Sequence, residues 1–408
     1  MDTPGYTGKP PRAAQTTLIA FILTFALFTF VSLVSLSPSF VRTLRRKLLR
    51  PVLSVFTRIP LPPALQAPSD LAITCRSFSA YPRAQQIQLD KKWFAFNRMP
   101  QRQRKLGHEI EWEDVLEKAE DALEVNALIT DELAALAMEK ARKEGVPLGF
   151  RNRLHTDNGR VIETLKHFVR DWSTDGSGER ATLFPPVLDA LRDDFDAPEG
   201  KRLLVPGCGL GRLAYEIACQ GFTVDANDFS QFMNTASRFV FTRARSVDEH
   251  SIAPYIHSFS HQRSSENLLR QIRFPDVVPR KDIALNFVPG DFLELFTEEG
   301  RYDCCVTLFF IDTASNLVDY FETIFRALKP GGIWVNEGPL LYYGNPAMEL
   351  PLEDVLRLAC LVGFVVEQRR SLERVSYTAD NLGAFTYDCE FWVARKPLAA
   401  EIKKAKCA

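Results

Sequence analysis

No two cysteines in this chain stand as a Cys-x-x-Cys pair, although eight cysteines are present among its 408 residues. That spacing is the usual signature of structural zinc sites and redox motifs, so neither is expected. Cys208, Cys219, Cys304, Cys305, Cys360 and Cys389 fall in apolar or loop segments and read as small buried hydrophobes of a reducing compartment. Asn-x-Ser/Thr glycosylation acceptors are also missing, which suits a chain whose bulk never meets the secretory lumen. An excess of charge of either sign is lacking too: 50 Lys and Arg stand against 51 Asp and Glu. Such balance gives no bulk attraction to polyanions, and no nucleic-acid partner is expected.

Charge vanishes altogether between residues 13 and 41, and 16–36 is almost wholly Leu, Ile, Phe, Val, Ala and Thr. As a helix that stretch spans about 30 Å, the thickness of a bilayer core. The apolar core of a signal peptide is shorter and ends at a small-residue cleavage site, so an uncleaved single-pass anchor is the preferred reading. Lys9 and Arg12 precede it, whereas Arg42, Arg45, Arg46, Lys47 and Arg50 follow. The heavier positive flank stays cytoplasmic, which predicts a membrane protein whose catalytic part faces the cytosol. The same basic flank could bind lipid headgroups, although topology alone explains it.

Residues 51–81 hold Pro60, Pro62, Pro63 and Pro68 and read as a linker. From 93 to 145 the spacing of Ile110, Val115, Leu116, Ala119 and Leu123 predicts helix with one buried face, and 161–172 another amphipathic helix. A Ser/Gly-rich run, 173–180, reads as a flexible connection before a helix at 183–195, so 82–200 is expected to be a helical cap. From 201 onward apolar strands at 203–205, 222–226, 284–288, 304–311 and 333–336 alternate with helices at 213–220, 231–245 and 317–328. Late strands follow at 364–368 and 387–394. This predicts an α/β fold, a doubly wound sheet of seven strands. Lys329-Pro-Gly-Gly332 reads as a tight turn before the fifth strand, and the 250–280 insertion as a builder of the substrate pocket.

Residues 202–212 run from a short apolar strand into Gly207, Gly209 and Gly211 and open a helix. Glycines there let a ligand reach bare backbone, and the helix N-terminus offers free N–H groups. Such a turn alone also serves dinucleotides or plain structure. Asp228 ends the second strand, seventeen residues after Gly211, where a carboxylate accepts ribose hydroxyls; Gly290-Asp291-Phe292 ends the third, where Asp291 can accept from an adenine amine and Phe292 pack on its ring. With only one glycine-rich turn and no second mononucleotide half, the set describes S-adenosylmethionine better than a dinucleotide. Taken singly, each acid also reads as a solvated strand end. His257 and His261, four apart, lack a third metal ligand and a helical setting, and are taken as pocket or surface residues. No metal is expected.

Phe-Phe-Ile-Asp-Thr-Ala-Ser-Asn at 309–316 and Lys-Pro-Gly-Gly-Ile-Trp at 329–334, with the stretches around 203–214, 227–239, 274–277, 290–292 and 387–397, closely resemble the carnosine N-methyltransferase family over residues 155–397. The resemblance implies a class I methyltransferase fold and methyl transfer to an imidazole nitrogen of a histidine-containing dipeptide. Where the family has Gln-Phe-Val-Arg-Asp-Trp, this chain has His167-Phe-Val-Arg170-Asp-Trp172, which implies His167 and Arg170 at the cofactor, Arg170 toward the methionine carboxylate. The matching Asp312 would act on the acceptor imidazole; a helix N-cap, with Thr313 as rival, is the structural alternative. The family's His after Gly-Pro-Leu-Leu-Tyr is Tyr343 here, and its triple Tyr is Phe385-Thr386-Tyr387. Tyr343 and Tyr387 are therefore expected against a small-molecule methyl acceptor whose identity is less constrained than the donor. The other readings are a methyltransferase for another small molecule, secondary metabolite or lipid, a catalytically silent tethered nucleoside-binding protein, and a nicotinamide oxidoreductase.

Overall fold

A computed structural model describes residues 69–148, 156–378, 382 and 385–398. The apolar span expected at 16–36, its basic flank and most of the proline-rich linker lie outside the described residues. Among those described, no helix is long and apolar enough to cross a membrane.

The strands, in chain order, are β1 (Arg202–Pro206), β2 (Thr223–Asp228), β3 (His250–Ile252), β4 (Ile272–Phe274), β5 (Leu285–Pro289), β6 (Tyr302–Leu308), β7 (Leu328–Gly338), β8 (Val365–Thr378) and β9 (Phe385–Arg395). Seven of them form one sheet in the order β5-β2-β1-β6-β7-β9-β8. Pairing is parallel from β5 to β7, and β9 runs antiparallel between β7 and β8. Leu203, Leu204, Cys304, Cys305 and Val306 are fully buried, as expected of parallel strands covered on both faces. All seven expected sheet strands are present.

The helices are α1 (Asp70–Asn97), α2 (Gln101–Glu109), α3 (Trp112–Lys143), α4 (Asn158–Trp172), α5 (Ser177–Asp194), α6 (Arg212–Cys219), α7 (Gln231–Arg243), α8 (Ser265–Leu269), α9 (Phe292–Leu295), α10 (Leu317–Ala327) and α11 (Leu352–Val362). Residues of α5 and α6 share one apolar core with one sheet face, and residues of α10 and α11 share another with the opposite face. A third core joins α1, α3, α4 and α7 to β3, β4 and their loops.

Four expectations are corrected. The linker does not reach 81: α1 starts at Asp70, with the Ser69 hydroxyl accepting from Ala72 N–H at 3.2 Å. It carries Pro82 in its interior. One missing N–H is outweighed by the burial of Leu71, Cys75, Phe78, Tyr81 and Leu89. The run at 173–180 is not a loose connection but a 3₁₀ turn, Thr174–Gly176, leading straight into α5. A Cβ on Gly176 would lie within 2.4 Å of the Val169 and Arg170 carbonyls, so glycine there serves close packing. Residues 329–332 are part of β7, which shifts register opposite Tyr302–Cys304 with Gly331 at φ 83°. Cys360 is exposed, on α11, while Cys304, Cys305 and Cys389 are buried as read.

The 250–280 insertion also departs from expectation. Its β3–β4 hairpin puts Ile252, Ala253, Ile256, Ile272 and Phe274 into the core of the helical cap. Asn126 on α3 fixes that join: it accepts from Ala253 N–H at 2.8 Å and donates to Ala253 O at 2.9 Å and to Tyr81 Oη at 3.0 Å. Tyr81 in turn donates to His257 Nε2, whose Nδ1–H bonds Pro254 O at 3.0 Å. Burial holds the His257 imidazole down at about 4. His257 is thus a neutral cap residue, and His261 sits exposed at φ 61°.

Candidate active site

A cleft opens at the carboxyl ends of β1 and β6, lined by His167 and Arg170 of α4, Glu179, Arg180 and Leu183 of α5, Gly207–Gly209, Arg212 of α6, and Leu308–Phe309. His167 and Arg170 are three apart on α4, so both reach the same side of the helix. The end of α4 is welded to the glycine turn. Asp171 Oδ2 accepts from Leu210 N–H at 3.1 Å, Trp172 Nε1 donates to Leu210 O at 3.1 Å, and Arg212 donates to Asp171 O at 3.0 Å.

The three glycines do different work. A Cβ on Gly209 would meet nothing nearer than Asp171 Oδ2 at 3.5 Å and His167 Nδ1 at 3.8 Å, so its backbone faces the cleft bare. Gly207 has φ 66° and makes room for the Phe310 ring, 2.5 Å from its would-be Cβ, while its backbone still lines the cleft. Gly211 makes no part of that lining. The Phe287 ring lies 2.8 Å from its would-be Cβ, so it lets α6 pack on the sheet.

Asp228 closes the turn from the β2 side. Its Oδ2 accepts from Gly209 N–H at 2.9 Å and its Oδ1 from Ser230 N–H at 2.8 Å. Burial nevertheless pushes the carboxyl up to about 6, against those two bonds. Each oxygen keeps a lone pair, so ribose hydroxyls can still be met. Phe229, the next residue, is 62% exposed and offers an unshared aromatic face beside that acid. Asp291 comes alongside through Gly290, whose N–H bonds Asp228 O at 3.0 Å. Its Oδ1 caps α9 by accepting from Leu293 N–H at 2.8 Å. Phe292 departs from expectation: it is only 3% exposed and its ring is enclosed by Phe296, Phe310 and Tyr320. The freely presented ring at this edge is Phe229.

His167 Nδ1 is buried with no hydrogen-bond partner, and burial holds the imidazole below its ordinary range against the pull of Asp171. Arg170 Nε lies 2.8 Å from Glu179 Oε1, and burial pushes that carboxyl up despite the guanidinium. An orphaned ring nitrogen, a bare glycine backbone, a guanidinium and a two-carboxylate tip together fit a nucleoside with an amino-acid tail. An incoming carboxylate would compete with Glu179 for Arg170.

The acceptor side begins at Phe309, a non-glycine residue at φ 52°. The Arg170 guanidinium sits 5.0 Å over its ring and Tyr387 meets it edge-on at 5.9 Å. Gly338 permits this strained turn, because a Cβ there would fall 3.0 Å from Phe309 N. Asp312, in the 3₁₀ turn Ile311–Thr313, is 5% exposed, and its Oδ2 accepts from Leu341 N–H at 3.0 Å. Burial pushes its carboxyl up to about 6. It is not a helix cap. Asn316 caps α10 by accepting from Val318 N–H at 3.2 Å, and Thr313 donates to Phe310 O at 2.7 Å instead. Burial raises the Tyr387 phenol, with Tyr343 and Asp312 adding to the rise and Arg170 opposing it. Tyr343 is 69% exposed.

Four contributors escaped the sequence reading. Asp171 stood beside a residue already singled out. Phe229 was signalled by its place directly after Asp228. Phe309 was hidden because nothing in a sequence shows positive φ. Glu179 was hidden inside a run read as loose.

The sequence profile of the carnosine N-methyltransferase family matches residues 151–398. The chain is 40% identical over 255 residues to the carnosine N-methyltransferase of Rattus norvegicus, covering 59% of this chain and 64% of that protein. It is 39% identical to that of Drosophila melanogaster, over 60% of this chain and 56% of the relative. It is 36% identical to that of Schizosaccharomyces pombe, over 58% and 70%. The match thus spans a little under two thirds of the rat protein's length. On the strength of that profile, the chain belongs to the carnosine N-methyltransferase family.

Proposed function

We propose that this chain is an S-adenosylmethionine-dependent N-methyltransferase that modifies an imidazole nitrogen of a small histidine-containing dipeptide of the carnosine type. The observation that carries the reading is Asp312: a buried carboxylate, fixed by Leu341 N–H and released from capping duty, beside Tyr387 at the edge of a cleft built for an adenosine with an amino-acid tail.

S-adenosylmethionine supplies an electrophilic methyl group; the chain's residues hold both reactants. Asp228 and Asp291 suit the ribose and adenine, Phe229 the ring face, and His167, Arg170 and the Gly209 backbone the amino-acid end. On the acceptor side, Asp312 accepts the N–H of one imidazole nitrogen. That selects the tautomer whose other nitrogen is nucleophilic and balances the positive charge that grows on the ring. Tyr387 has a hydroxyl suited to the carboxylate or amine of the dipeptide. Positioning, rather than covalent participation, is the main contribution.

The test is turnover of the full chain on carnosine and on free histidine, with mass detection of the methylated product. Asp312→Asn should lower kcat by about 10²-fold or more and leave the affinity for S-adenosylhomocysteine unchanged. Measurable cofactor binding with no turnover on any imidazole compound would overturn the reading. A second reading, another small-molecule acceptor, draws on Tyr343 and Phe385, which stand 69% exposed where the family pattern has His and Tyr.

The uncharged run at 16–36 and the basic cluster from Arg42 to Arg50 support a single membrane span with the catalytic part in the cytosol. Alkaline carbonate extraction of membranes holding the full chain should leave it in the pellet. Release into the supernatant would sink the anchor alone and leave the chemistry standing.

A further inference from the structure

From Lys91 to His108 the chain carries six Lys and Arg (Lys91, Lys92, Arg98, Arg102, Arg104 and Lys105) and no acid. In a chain with a net charge of −1, this is a local concentration and not a bulk property. The segment folds as the last turns of α1, a short bend, and α2. Among the described residues, no carboxylate forms an ion pair with any of the six. Lys91 donates only to Gln88, and Lys92 lies 4.2 Å over the Phe259 ring.

The same tip exposes apolar side chains. Phe94 is 62% exposed, Met99 43%, Leu106 61% and Ile110 74%. Helix α2 has nine residues and buries none of them. It is held to the body by Gly107, whose would-be Cβ falls 2.4 Å from the Phe96 ring, and by His108, edge-on to that ring at 5.9 Å. A helix this short has little stability of its own, and its outer surface is uncovered among the described residues. Glu109 and Glu111 close the basic run and bound the patch.

We propose that this tip docks onto an anionic phospholipid surface, the cations meeting headgroup phosphates and carboxylates while Phe94, Met99, Leu106 and Ile110 enter the headgroup–acyl boundary. Cations interleaved with exposed apolar groups suit that interface. A nucleic acid would pair the cations but give Leu106 and Ile110 nothing to gain. The patch is also remote from the chemistry. Asp70, at the other end of α1, accepts from Gln231 N–H at 2.8 Å and from Arg160, next to the Asp228 corner. Along the 28-residue helix, Lys91, the first cation of the patch, lies about 31 Å from Asp70, and the far end of the helix about 42 Å. The proposal rests on this patch alone, whatever residues 16–36 do.

The test uses the full chain with vesicles of phosphatidylcholine alone and of phosphatidylcholine mixed with phosphatidylserine, read by hydrogen–deuterium exchange of peptides covering 91–110. Association with neutral vesicles reports the anchor; protection of 91–110 only on serine-containing vesicles reports the tip. That protection should disappear in high salt. The combined variant Lys91→Glu, Arg98→Glu, Arg102→Glu, Lys105→Glu should weaken it at least tenfold, and Leu106→Ser with Ile110→Ser should weaken it with all charges intact. In both variants, unchanged methyl transfer in solution certifies the fold. Equal exchange on both vesicle types would overturn the proposal, as would protection by a single-stranded RNA oligonucleotide that vesicles fail to displace.

Discussion

At the scale of single residues, two buried carboxyls make opposite statements. Asp312 must be ionised to accept an imidazole proton, and its carboxyl is pushed up to about 6. In the free enzyme kcat/KM should therefore rise as pH climbs through about 6, and a kcat/KM profile flat from 5 to 7 would count against its role. Glu337, near the end of β7, is fully buried, and neither carboxylate oxygen has a partner among the described residues. Burial pushes it up to about 8, with Arg370 only partly opposing. Because the folded state then holds a proton that the unfolded state has already released, stability is greatest below the ordinary Glu range. It should decline as pH rises toward 8, by at most about 1.4 kcal/mol per pH unit, and level off above that. Glu337→Gln should flatten that decline in urea titrations at a series of pH values. Asp312 was singled out through family resemblance, whereas acids at strand ends, such as Asp228 and Asp291, were readable from type and spacing. Glu337 was not, since an acid two places before a Pro looks solvated until three strands are seen to enclose it.

Among the elements, the join between cap and insertion is the most sharply specified. Asn126 satisfies both backbone groups of Ala253 and also donates to the Tyr81 hydroxyl. Asn126→Ala leaves the N–H and C=O of Ala253 without partners and should cost about 2–4 kcal/mol, measured as a lower urea midpoint at an unchanged m-value. Asn126→Asp, which keeps one acceptor, should cost less. The sheet strands were legible because apolar runs of strand length alternate with helical periodicity. The start of α1 was not, because prolines outside it suggested a linker and Pro82 inside it suggested a break. What decides the matter is a partner surface, the face of α3, that no local pattern contains. The turn at 173–180 failed likewise: glycine and serine look loose, yet Gly176 is there because α4 and α5 approach too closely for any side chain.

Across the whole molecule, the order of strands brings the chemistry together. Strand order reverses between the parallel neighbours β1 and β6, with β2 and β5 laid to one side and β7 to the other, and this opens the sheet edge where Gly209, Asp228 and Phe309 meet, the usual place for a ligand in an open α/β sheet. Fold class and donor site were legible from the glycine turn and the acids that follow it. The acceptor side was legible only through family resemblance, because Tyr387 arrives from a reversed strand far along the chain. Insertion and cleft are coupled through Asp276, whose carboxylate bonds both Arg180 and Arg212, the latter at 2.6 Å, while its N–H bonds Trp172 O at 2.8 Å. Asp276→Ala removes the carboxylate of the Arg180 ion pair, while Arg212 keeps Glu216, and should cost about 3 kcal/mol. Calorimetry should show one transition moved down in temperature, not a separate early melting of the insertion.

The length of α1 has a bearing on diet. If its basic end rests on a lipid layer as proposed, a helix about 42 Å long would act as a stilt under the Asp70 end, which bonds Gln231 and Arg160. Held upright, it would keep that corner clear of the acyl chains and in reach of dissolved molecules. In that posture a water-borne acceptor would be favoured over one that stays embedded in the lipid.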